Sequence, residues 1–83
     1  MTETESVPSV LQIINSYADE IQFRIEPYGM IYTMRRGEIF TVMIAGVFEQ
    51  NQFEIDIEID CISVYGTRDT MSILNAEGVK LEF

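Results

Sequence analysis

Between Ile21 and Glu26 apolar and polar residues alternate, with Ile21, Phe23 and Ile25 on one side and Gln22, Arg24 and Glu26 on the other. That two-residue period predicts a half-buried strand. Pro27-Tyr28-Gly29 then turns the chain, and Met30 to Met34 resumes extended structure. Arg35-Arg36-Gly37 predicts a second turn, with Gly37 where a positive φ costs little. From Glu38 to Val47 the pattern changes, since Phe40, Val42 and Ile44 share one face while Ile39 and Met43 share the other. A strand apolar on both faces lies centrally, or between a core and an interface. Gly46 and Glu49-Gln50-Asn51 break it.

The clearest alternation runs from Phe53 to Asp60, with the isoleucines predicted inside and Glu54, Asp56, Glu58 and Asp60 outside. Ile62, Val64 and Tyr65 continue extended, but their parity is flipped relative to Ile59. A one-residue shift reverses every side chain, so a bulge or tight turn must lie between Glu58 and Cys61. After a loop from Gly66 to Asp69, Met71, Ile73 and Leu74 predict a short strand. Asn75 to Gly78 predicts a hairpin turn, and Val79, Leu81 and Phe83 a closing strand.

Residues 9–20 allow two readings. A helix begun near Pro8 would align Leu11, Ile14 and Ala18. A strand from Val10 to Ile14 with a turn over Asn15 to Asp19 is favoured by the β-branched Val10, Ile13 and Ile14. Residues 1–8 are polar and acidic and read as a flexible tail, leaving 9–83 as one β domain. The resulting fold class is all-β, a small antiparallel sandwich or barrel of six to eight strands. No helix-length segments separate the strands, which argues against a parallel α/β sheet.

The Glu26-Pro27-Tyr28-Gly29 turn, the Gly37-Glu38 turn and Val64-Tyr65-Gly66 resemble those of small uncharacterised bacterial β-sandwich domains. More loosely, the strand plan is similar to cupredoxin-like sandwiches. The resemblance implies a fold and no activity.

Charge narrows the partners. Fourteen Asp and Glu oppose five Lys and Arg, a net charge of −9 over 83 residues. Such a field repels nucleic acid and anionic membrane surfaces and favours basic partners. A lone Cys61 allows no internal disulfide, as suits a reducing compartment. The N-terminus lacks a positive region followed by an apolar run, and no stretch is long and apolar enough to span a bilayer. A cytoplasmic protein is expected.

Chemistry narrows further. There is no histidine, which removes imidazole acid–base catalysis, His-paired nucleophiles and copper sites of the cupredoxin kind. One cysteine cannot build a zinc or iron–sulfur centre, and Cys61 beside Asp60 reads as a small buried side chain. Carboxylates spaced by about 6.8 Å along a strand are too far apart to share a Ca²⁺ ion. No cofactor, metal or catalytic residue is expected. The residues left for function are the ladder Glu54, Asp56, Glu58 and Asp60 and the tyrosines Tyr28 and Tyr32, as partner-binding groups. The expected function is a non-catalytic, acidic protein-interaction domain, with homodimerisation through the doubly apolar strand at 38–47 or an open edge. The alternative is an acidic inhibitor or immunity-type protein that mimics nucleic acid in a partner's basic site.

Overall fold

In the computed structural model, which describes residues 9–45 and 53–83, the alternating segments become seven strands. They are β1 (Ser9–Ile14), β2 (Glu20–Glu26), β3 (Met30–Arg35), β4 (Ile39–Ile44), β5 (Glu54–Glu58), β6 (Cys61–Tyr65) and β7 (Met71–Leu74). The expected tail at 1–8 and the break at Gly46 and Glu49 to Asn51 lie outside the described residues. Residues 9–20 are a strand and a turn, not a helix. Two sheets pack face to face: a three-stranded sheet ordered β1-β4-β7 and a four-stranded sheet ordered β3-β2-β6-β5.

Period-two patterning explains the core. Ile21, Phe23 and Ile25 of β2 face Phe40, Val42 and Ile44 of β4, with Met34, Val64, Met71, Ile73 and Leu81 filling the space between. The rings of Phe23 and Phe40 meet 4.9 Å apart at 57°, joining the two sheets. Each such side chain contributes about 1.5–3 kcal/mol relative to exposure.

Asn15 fixes the corner where β1 leaves for the other sheet. Its buried side chain donates through Nδ2 to the carbonyls of Ala18 and Met34, each at 3.0 Å. Its Oδ1 accepts from the amides of Tyr17 and Ala18 at 3.2 Å. The carbonyl of Asn15 also accepts from Gly37, whose φ of 86° is the left-handed conformation expected of that turn.

Two features differ from expectation. β2 and β6 pair in parallel, so the four-stranded sheet is mixed. Alternation states which residues face inward but not which way a strand runs, and β6 enters beside β2 only after the chain has passed through β4 in the other sheet. The predicted closing strand at 79–83 is reduced to one bridge, Leu74 to Lys80, backed by the bond from the Leu81 amide to the Ile73 carbonyl. Past Lys80 the chain leaves β7 towards β3, where Tyr32 holds the main chain of Glu82. The barrel does not close.

Candidate interaction surface

β5 carries Glu54, Asp56 and Glu58 on the outer face of the four-stranded sheet, all exposed. Their carboxylates make no ion pair or hydrogen bond with the described residues. Asp60 is not a fourth rung. It lies with Ile59 in the turn joining Glu58 to Cys61, and its carbonyl accepts from the Gln22 amide at 3.0 Å. That two-residue turn is where the parity flips. Cys61 is buried, its Sγ 3.7 Å from Ser63 Oγ.

The two tyrosines serve the fold. Tyr28 is half-buried; its hydroxyl accepts from the Arg68 amide at 2.8 Å, and its ring lies 5.4 Å from that of Phe83 and 4.2 Å beneath the Arg68 guanidinium. Tyr32 accepts from the Glu82 amide at 3.1 Å and donates to the Glu82 carbonyl at 2.7 Å. Both hold segments from the far end of the chain. Tyr32 on β3 and the acids on β5 sit at opposite edges of one sheet, roughly 14 Å apart at the usual strand spacing. The structure does not bring the tyrosines and the acidic ladder together.

A different surface emerges from the asymmetry of the sandwich. On the β7–β3 side the segment 79–83 bridges the two sheets, with hollows of about 580 and 170 Å³ beside it. On the β1–β5 side nothing described does, and two hollows open between the sheets. One, about 340 Å³, is lined by Ile14, Tyr17, Ile21, Ile57, Ile59 and Ile62 among others. The other, about 270 Å³, lies among Val10, Leu11, Val42, Ile44 and Phe53. Ile57 and Ile59, predicted to be inside, are 72% and 86% exposed, and Tyr17 is 78% exposed. Ile57 has the inward parity of Ile55, but it lies on the rim of the hollow and stays exposed. Val10 and Ile14 on β1 are 60% and 53% exposed.

The backbone of β1 adds directional chemistry. The Asn15 amide bonds to the Glu38 carbonyl, and residues 9, 11 and 13 follow by antiparallel alternation in facing β4. The amides and carbonyls of Val10, Gln12 and Ile14 therefore point away from the sheet, at an open edge. β1 reads Ser-Val-Leu-Gln-Ile-Ile and carries no charge.

Two other edges are guarded, β7 by residues 79–80 and β5 by three carboxylates, and β3 ends in the charged Arg35. Charge and coverage are the usual defences of an edge strand, and among the described residues β1 has neither. Pattern reading missed this surface because alternation cannot tell which edge a strand occupies. The uncharged run at 9–14 was the one available signal.

No group of three or more His, Cys, Asp or Glu among the described residues could hold a metal ion. A hollow of about 580 Å³ beside the C-terminal segment is lined by Arg68 and Lys80 but equally by Asp69 and Glu82, so its charge is balanced. No helix among the described residues is long and apolar enough to cross a membrane. The chain matches no known protein family, no curated protein and no solved structure.

Proposed function

We propose that this protein is a non-catalytic, cytoplasmic interaction domain whose working surface is the open β1–β5 side. One observation carries the reading: exposed apolar side chains and an uncharged strand edge coincide there, in a chain whose net charge is −9. Apolar residues exposed singly are ordinary, but a contiguous patch beside unpaired backbone groups is how proteins bind one another through strands.

A second reading rests on a separate surface. Glu54, Asp56 and Glu58 form an unpaired anionic row on β5, as an inhibitor occupying a basic groove would require. One experiment tests both readings. Tagged protein is used as bait in an extract of its host, alongside an Ile57→Asp/Ile59→Asp variant and a Glu54→Gln/Asp56→Asn/Glu58→Gln variant. The first reading predicts that recovered partners, an untagged copy of the chain included, are lost with the isoleucine variant and survive 0.5 M salt. The inhibitor reading predicts loss with the charge variant and in salt. Equal recovery by all three baits overturns both.

A further inference from the structure

We infer that the partner of the open side is a second copy of this chain, joined by antiparallel pairing of β1 with β1 about a two-fold axis between the two Gln12 residues. The inference rests on the reading of that side as the working surface. The outward backbone groups belong to Val10, Gln12 and Ile14, which are evenly spaced about Gln12. Antiparallel pairing centred there sets Val10 opposite Ile14 of the other copy, Gln12 opposite Gln12, and Ile14 opposite Val10. Each is then a hydrogen-bonded pair exchanging N–H and C=O. On the inner face the same register sets Leu11 opposite Ile13. Apolar meets apolar at each of these pairs, and the one polar residue meets itself. The segment Val10–Ile14, which complements its own sequence about Gln12, fits an isologous contact.

The symmetry also settles the cleft. A two-fold axis perpendicular to the β1-β4-β7 sheet extends it into one sheet, β7-β4-β1-β1-β4-β7, and keeps both four-stranded sheets beneath it. Their β5 edges then approach each other, and Ile57, Ile59 and Tyr17 of each copy face the other copy's open side. The acidic row lies on the outer face of each β5, beside the joint rather than within its apolar interior.

The area agrees with a stable dimer. A large aliphatic side chain offers on the order of 100 Å² of apolar surface. The exposed fractions of Val10, Leu11, Ile14, Tyr17, Ile57 and Ile59 thus amount to on the order of 400 Å² per copy. A standard interface of about 800 Å² per partner holds roughly 500 Å² of apolar area. The backbone and Gln12 supply the polar remainder.

The full chain tests this by light scattering and cross-linking. Wild type is expected at twice 9.6 kDa at micromolar concentration. Gln12→Cys is expected to form a reducible covalent dimer on mild oxidation, because hydrogen-bonded antiparallel Cα atoms lie about 5.5 Å apart, within disulfide reach. Gln22→Cys, exposed on the far sheet, should cross-link at least 10-fold more slowly. Ile14→Lys, which changes a side chain already exposed in one copy, should weaken the dimer about 100-fold. Gln12→Pro removes an amide that faces away from β4, so it should give a folded monomer. A wild-type monomer at millimolar concentration overturns the inference. So does a dimer in which Gln12→Cys cross-links no faster than Gln22→Cys and Gln12→Pro has no effect. In either case the reading of the open side stands or falls separately, on whether the Ile57→Asp/Ile59→Asp bait loses partners other than the chain itself.

Discussion

The Tyr32 hydroxyl accepts a hydrogen bond from the Glu82 amide and donates one to the Glu82 carbonyl, 50 residues away along the chain. This clasp joins β3 of one sheet to the segment that extends β7 of the other. Leu81, beside it, is buried in the core. One side of the sandwich is thereby bridged from within the chain, whereas no described segment bridges the β1–β5 side.

Removing the clasp should cost stability without touching the open side. Tyr32→Phe leaves both main-chain groups of Glu82 to water, and a loss of about 1–2 kcal/mol is expected in urea denaturation. The dimer constant, corrected for the folded fraction, should stay unchanged.

Asn15 should prove far less tolerant. Asn15→Ala leaves the Tyr17 and Ala18 amides and the Met34 carbonyl without their side-chain partner at a buried corner. A destabilisation of about 2–4 kcal/mol is expected. Asn15→Asp should do no better, because it loses the Nδ2 donor and turns a carboxylate towards two carbonyls. Urea midpoints of the two variants check this.

Gly37 isolates a backbone effect. An added Cβ would meet nothing within 4 Å, so only the φ of 86° resists substitution. Gly37→Ala should therefore lower stability by about 1 kcal/mol, and Gly37→Asn by less, since Asn tolerates that conformation better. Equal melting temperatures for all three proteins would contradict the assignment of a backbone cost.

The acidic row should behave as self-repelling charge where stability is concerned. Glu54→Gln, Asp56→Asn and Glu58→Gln should each leave stability within about 0.5 kcal/mol of wild type or raise it. Raising sodium chloride to 0.5 M should raise the melting temperature of wild type more than that of the triple variant, as read by circular dichroism.

Much of this architecture was legible in the residues. Ile21-Phe23-Ile25 and Phe40-Val42-Ile44 announced the two halves of the core, and Gly37 announced its turn. The parity flip after Glu58 located the Ile59-Asp60 turn, although it also removes Asp60 from the ladder. Strand direction was not legible, because β2 and β6 show the same alternation whether they run together or opposed. Nor could the roles of Tyr28 and Tyr32 be read, since their partners Arg68 and Glu82 lie 40 and 50 residues away. Ile59 was misplaced because it lies in the turn beyond β5, and Ile57 for a related reason. Period-two patterning assumes that an inward residue has something to pack against, and at the edge of an open sandwich it does not.

Backbone hydrogen exchange along β1 tests the central claim most directly. The amides of Leu11 and Ile13 bond within the chain to β4, whereas those of Val10, Gln12 and Ile14 face the open edge. Slow exchange at Leu11 and Ile13 at every concentration is predicted, with protection at Val10, Gln12 and Ile14 that grows with protein concentration and vanishes in Ile14→Lys. Fast exchange at Val10, Gln12 and Ile14, unchanged by concentration, would contradict the account.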